Sequence, residues 1–227
     1  MSNLARVERV ARKLDWLRND VVFVGGAVVE FYVTRPVSEK VRATDDTDVV
    51  SSVETYAEYH EELGEKLRRL GFRQVPGDPG YRWRDDEDVL DVLTAEGVHG
   101  FTNRWYSDGI GAARAYALPS GLSIRMLPPA YYLATKIEAH AERGGGDPYT
   151  SRDFEDIVYT IANRPEIFAE IGAEGGAVSA WVVDRLGELF PPTRAAEYLT
   201  ANLRTGSTGE VVAELKARLA DLSGSSA

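Results

Sequence analysis

Residues 21–50 constrain this chain more than any other stretch. They read VVFVGGAVVEFYV, then a polar connection, then RATDDTDVV. Four consecutive apolar residues, Val21 to Val24, make a short buried strand, and Gly25-Gly26 closes it with a tight turn. About twenty residues later come Asp46 and Asp48. At i and i+2 of an extended strand, both carboxylates point to the same side of the sheet. Two like charges facing one way are costly to bury unless a cation sits between them. The spacing therefore predicts a Mg²⁺ site, with Mn²⁺ as an alternative occupant. Glycines let backbone amides approach phosphate oxygens, and a following helix N-terminus adds partial positive charge. Gly25, Gly26, Asp46 and Asp48 together are thus a candidate metal–nucleotide site, the aspartates holding the ion against a nucleoside triphosphate (NTP). The plainer alternative is a strand–turn–helix glycine pair beside a solvated acidic strand end. No Walker-type loop is present.

Around this stretch the chain changes character once. Leu4, Val7, Val10, Ala11, Leu14 and Leu17 recur at helical spacing. A second helix is expected over 27–33 and a strand over 47–51. Tyr56, Tyr59, Leu63, Leu67 and Leu70 mark another helix, stopped by Gly71. Strands follow over 82–84 and 89–93, with a further short one within 118–124. From Pro128 onward helices dominate, expected at 129–143, 151–163, 177–189, 192–201 and 209–222, with a GGGDP break after the first. The expected organisation is a small mixed α/β half over 1–127, a helical half over 128–222 and a frayed tail over 223–227. A substrate is expected in a cleft between halves.

Three further constellations carry potential chemistry. In DEDVLDVLT, Asp91 shares a strand face with Val89 and Leu93, while Leu90 and Val92 take the other. Both faces are otherwise apolar, so Asp91 needs compensation, which a metal site shared with the neighbouring strand would supply. An edge strand with Asp91 at its wet end is the alternative; Glu87 and Asp88 look like a solvated approach to the strand. Lys136, His140 and Arg143 fall at i, i+4 and i+7 on one helix face, a cationic stripe able to neutralise a triphosphate. His140 also reads as an ordinary polar-face residue. Asp153 opens the next helix behind Ser151, placed either to orient Lys136 or simply to serve the helix dipole. Finally, Lys66, Arg68, Arg69, Arg73, Arg82 and Arg84 cluster against Asp78, with Trp83, Phe101, Trp105 and Tyr106 nearby. That combination suits either a polynucleotide contact or a solvated charged face. His60 and His99 look isolated, and no serine lies in a GxSxG setting.

Composition excludes several classes. A net charge of −10 and a pI near 4.9 disfavour a nonspecific DNA coat. Without cysteine there is neither a disulfide framework nor a thiolate zinc site. The charged N-terminus has no signal-peptide core, and no apolar run approaches membrane-spanning length. A soluble, cytoplasmic protein with no membrane partner is expected.

Taken in order, VGGAVVEFY, the R-x-T-x-D-x-D of Arg42, Thr44, Asp46 and Asp48, LRRLGF, the strand at Asp91, and LPPAYYLATKIEAHAERGGGDPYTSRDFEDI resemble the nucleotidyltransferase superfamily with the DNA polymerase β-like fold. More narrowly, they resemble its AbiEii/AbiGii toxin group, which includes the MenT toxins. The likeness runs from Val22 to about Asn163. Two departures are a Gly-Gly where the superfamily often has Gly-Ser, and Arg152-Asp153 where the group usually has Lys-Asp. The resemblance implies an α+β fold, a mixed sheet flanked by helices and followed by a helical bundle. It implies transfer of a nucleoside monophosphate from an NTP to an acceptor hydroxyl with release of pyrophosphate. By that likeness Asp46, Asp48 and Asp91 would hold metal, Asp91 alternatively serving as base. Gly25, Gly26, Arg42, Thr44, Lys136 and Arg143 would bind nucleotide, and Lys136 and Asp153 would join the catalytic set. The acceptor in MenT-like relatives is tRNA, which implies a toxin with a cognate antitoxin. A small-molecule or protein acceptor, or an inactive nucleotide-binding partner, are the alternatives.

Overall fold

Six strands form one mixed sheet in the order β3-β4-β2-β1-β6-β5. They are β1 (Val21–Val24), β2 (Asp46–Ser51), β3 (Arg82–Arg84), β4 (Val89–Thr94), β5 (Arg114–Ala117) and β6 (Ser123–Met126). The structure, a computed structural model, describes residues 2–37, 42–143, 145–203 and 209–224. Of the expectations above, Gly144 and residues 225–227 lie outside these. Strands β1 and β2 are antiparallel, β2 and β4 parallel, and β1 and β6 parallel. All four residues of β1 are buried, which is why an inner strand reads as an unbroken apolar run rather than an alternation.

The sheet belongs to one of two compact units, Met1–Val28 with Arg42–Pro128. Its helix α1 (Asn3–Leu14) starts at Ser2, whose side chain accepts the Ala5 amide, and buries Val7, Val10, Ala11 and Leu14. A 3-10 turn over Asp15–Asn19 then inserts Leu17. Salt bridges stitch α1 to the β3–β4 hairpin: Arg9 to Asp88 and Glu87, and Lys13 to Asp85. Asp88 is therefore buried, not a solvated approach to the strand. The next helical stretch contains a π-helical turn at Glu58–Leu63 before α2 (Gly64–Arg69). Tyr59, Leu63 and Leu67 point inward, whereas Tyr56 is 64% exposed and Gly71 terminates the run at φ +88°. A short α3 (Tyr106–Ala112) and strand β5 escape the sequence pattern. The first carries two glycines in seven residues, and the second is an edge strand whose RAYA is largely exposed.

The second unit comprises Val29–Val41 and Pro129–Ala227. Its helices are α4 (Pro129–Glu142), α5 (Arg152–Asn163), α6 (Ile167–Glu174), α7 (Gly176–Leu189), α8 (Ala195–Asn202) and α9 (Gly209–Gly224). Helix α4 packs against α5, α6 and α7, and ten of its residues are buried. A helix surrounded on most sides needs apolar residues nearly all round. The segment after Gly26 is a 3-10 helix, Gly26–Tyr32, in place of the expected α-helix. Its later part belongs with the helices: Tyr32 stacks on Tyr132 at 4.1 Å, and the Thr34 and Arg35 amides both donate to the Asn163 carbonyl at 3.0 Å. No described helix is long and apolar enough to cross a membrane.

Candidate active site

Strand pairing brings the three predicted acidic residues into one neighbourhood of the sheet unit. Val24, the last residue of β1, pairs with Asp48 on β2, and Asp48 pairs with Asp91 on β4. Beyond Val24 the backbone turns at Gly25 with φ +74°. A Cβ built on Gly25 would lie 2.0 Å from Oδ2 of Asp48. Only glycine leaves room there, so Gly25 forms a cradle for the Asp48 carboxylate, and its positive φ adds a second reason for the same residue.

The carboxylate that needs compensation finds it in Arg82, one of the basic residues clustered along 66–84. Arg82 pairs with Asp91 across the β3–β4 hairpin. Its Nε and Nη2 donate to Oδ1 and Oδ2 of Asp91, both at 2.7 Å, and Nη2 also reaches Oδ2 of Asp46 at 3.3 Å. This is a bidentate, charge-assisted contact. Asp91 is only 5% exposed and sits on an inner strand, so the wet-edge alternative fails. Burial pushes the Asp91 carboxyl above the usual range while Arg82 pulls it back, and the guanidinium itself is held more firmly cationic by Asp91. A hairpin centred between Asp86 and Glu87 puts Arg82 opposite Asp91; that register was the available signal.

Aspartates offer the hard oxygen donors that Mg²⁺ takes, and Asp46, Asp48 and Asp91 suit it in kind and in register. Their present arrangement is different: Arg82 engages two of the three, and among the described residues no group of three or more acidic or histidine side chains is set to hold an ion. The donor set is of the kind Mg²⁺ takes, but as arranged it is closed by Arg82. Leading into β2, Thr44 donates its amide to Asn3 Oδ1 at 2.9 Å and its hydroxyl to the Asp46 carbonyl at 3.1 Å. The Arg42 carbonyl accepts from Asn3 Nδ2 at 3.1 Å. These bonds make Thr44 and the Arg42 backbone part of the clamp between α1 and β2.

In the helical unit, Lys136 is 4% exposed and donates to Asp153 at 3.0 Å and Asp156 at 2.6 Å. Burial alone would push its ammonium down, but Asp156 and Asp153 more than offset that and hold it above the ordinary lysine range. Arg143 reaches Asp153 at 3.3 Å. Ser151 accepts the Phe154 amide at 3.3 Å and so caps α5, leaving Asp153 to pair with cations. Asp156, buried completely, is the partner that sequence spacing missed. His140 is neither a polar-face residue nor part of a cationic stripe. It is 2% exposed against the Phe154 ring, and burial lowers its pKa despite nearby Asp153 and Asp147.

The basic and aromatic cluster is largely spent internally. Arg69 pairs with Glu65, Arg73 with Asp86, and Arg84 with Asp78. Trp83, Trp105 and Tyr106 are buried in the core rather than available for base stacking. Trp83 Nε1 donates to the Tyr59 hydroxyl at 3.0 Å, which itself donates to the Val92 carbonyl at 2.9 Å. His60 and His99 are not isolated; their rings meet edge to face at 5.2 Å.

No family model and no curated protein matches the chain. Among solved structures it is similar to an antigenic nucleotidyltransferase-like protein from Paracoccidioides brasiliensis, with a TM-score of 0.52 and 18% identity. The match covers 91% of this chain and 95% of that one. At that identity the likeness speaks for architecture, and the chain has the α+β, nucleotidyltransferase-like fold.

Proposed function

We propose that this protein is a metal-dependent nucleotidyltransferase that moves a nucleoside monophosphate from an NTP to an acceptor hydroxyl. The observation that carries the reading is the placement of Asp48 between Val24 and Asp91, with Gly25 shaped around its carboxylate, within a nucleotidyltransferase-like fold. Asp46 and Asp48 would hold Mg²⁺ or Mn²⁺, with Asp91 as third ligand or as base. Such an ion, when bound, supplies charge neutralisation for the triphosphate and its developing negative charge. The chain's own groups do the rest. The Gly25 and Gly26 amides, with the Arg42 guanidinium, take phosphate oxygens, and Thr44 joins them only if one of its donors leaves Asn3 or the Asp46 carbonyl. Asp91 accepts the proton of the acceptor hydroxyl as that oxygen bonds to the α-phosphorus. The bond from the α-phosphorus to the oxygen bridging the β-phosphate breaks, and pyrophosphate leaves. Within the helical unit, Lys136 with Arg143 forms a cationic pair that could engage a phosphate only if the Lys136 ammonium exchanged an aspartate for a phosphate oxygen, with Asp153 orienting it.

For the acceptor we propose RNA, specifically the tRNA of a toxin–antitoxin or phage-defence system, with a cognate antitoxin as protein partner. Incubation with total cellular RNA and each labelled NTP in turn, with Mg²⁺ or Mn²⁺, tests this. Label should enter RNA with one or more NTPs and fall at least a hundredfold in Asp48→Ala, as expected when a metal-holding carboxylate is removed. Absence of transfer to RNA, protein or small molecules with all four NTPs overturns the reading. One observation favours a small-molecule acceptor: the aromatic side chains expected to stack on bases are buried, and several of the basic ones are paired. Growth arrest on induction supports the RNA acceptor; drug resistance without arrest supports the small molecule.

A further inference from the structure

We infer that Arg82 is a built-in stand-in cation: it holds Asp46 and Asp91 in place until a divalent ion displaces it, and thereby sets how tightly the site takes that ion. The inference rests on the proposed metal-dependent reading and adds a residue to it. Asp46, Asp48 and Asp91 lie on neighbouring strands, and Asp91 is nearly fully buried, so the cluster calls for a positive partner. Arg82 is that partner, joined to both oxygens of Asp91 at 2.7 Å and to Asp46 at 3.3 Å. Its position is set by the hairpin: Arg82 stands directly opposite Asp91, with Arg84 opposite Val89 two residues on. Neighbouring Arg84 has its own partner in Asp78, so it does not compete for the cluster. The oxygens that Arg82 occupies are those a divalent ion would need. Ion and guanidinium therefore compete, and the guanidinium is tethered at high effective concentration.

Arg82 still keeps about a quarter of its side chain in solvent, on the side away from the buried Trp83. It can leave Asp91 without breaking the core. Its role is positional, since it acts through Asp91 and Asp46 rather than on a reacting atom.

The test is a Mn²⁺ titration of the full chain without nucleotide, followed by calorimetry and thermal unfolding. For Arg82→Gln, Mn²⁺ should bind at least tenfold more tightly than in the unaltered protein. The variant should also melt lower without metal and recover more on Mn²⁺ addition. Arg82→Lys, which keeps the charge but not the fork, should fall between the two. An affinity in Arg82→Gln that is unchanged, weaker, or undetectable like that of the parent overturns the inference. Should Arg82→Gln fail to fold, the arginine side-chain NMR signals of the unaltered protein decide. The Arg82 Nε–H, protected by Asp91 in the metal-free protein, should shift and lose exchange protection when Mg²⁺, a diamagnetic substitute for Mn²⁺, is added to saturation. A signal indifferent to Mg²⁺ overturns the inference. Nucleotide transfer is read separately, so a failed stand-in role and a failed transferase reading give different results.

Discussion

Gly25 shows how a single hydrogen can decide the chemistry of a site. A methyl group there would meet Asp48 Oδ2 at 2.0 Å, on a backbone at φ +74°. Gly25→Ala should cost about 2–3 kcal/mol from the strained φ and the forced carboxylate shift together. That corresponds to roughly 5–10 °C in melting temperature for a chain of this length. A variant that melts within a degree of the parent would show that the cradle is looser than described. Lys136 makes the opposite case, a buried charge with two partners. Lys136→Met leaves Asp153 and Asp156 without their shared cation and should destabilise by about 3–5 kcal/mol in urea unfolding. Adding Asp156→Leu should recover part of that loss; no recovery would mean the two residues are not energetically coupled.

At the scale of elements, legibility followed burial. Strands β1, β2 and β4 could be read because inner strands need apolar residues on both faces, and α5 because its Phe154, Ile157, Val158 and Ile161 all face the core. Strand β5 and helix α3 could not, since an exposed edge and a glycine-rich turn of helix carry little periodic signal. The Asp46, Asp48 and Asp91 cluster was legible through strand spacing. Its cation was not: Arg82 lies among other basic residues, and only the hairpin register separates it from Arg84. The same limitation hid Asp156, whose pairing depends on how α5 lies against α4. His60 and His99 touch although β3 and β4 separate them along the chain, so sequence distance could not join them.

Across the whole molecule, the chain's three histidines respond to acid in one direction. Burial lowers the pKa of His60, His99 and His140, with Arg68 adding to the effect at His60 and the neighbouring ring at His99. A histidine held low in the folded state binds its proton more readily when unfolded, so stability falls as pH drops through the unfolded value near 6.5. Lys136 acts at the other end: its contribution is complete below the ordinary lysine range and is lost as pH climbs through its raised folded value. Denaturation midpoints should therefore decline from pH 7.5 to pH 5. Replacing His140 with Gln should flatten that decline. A midpoint that rises on acidification would show that the imidazoles are not buried neutral.

The acidic loop of Asp85, Asp86, Glu87 and Asp88 works as a spacer between Arg82 and its carboxylate. In Arg82–Trp83–Arg84, charge and indole alternate between opposite sides of β3. A one-residue insertion in that loop would slide the ribbon by half a pleat, turning the indole toward Asp91 and driving a guanidinium into the interior. Single substitutions can be absorbed at the exposed Asp86 and Glu87, whereas Asp85 and Asp88 hold Lys13 and Arg9, and a change in the loop's length would reprogramme the hairpin.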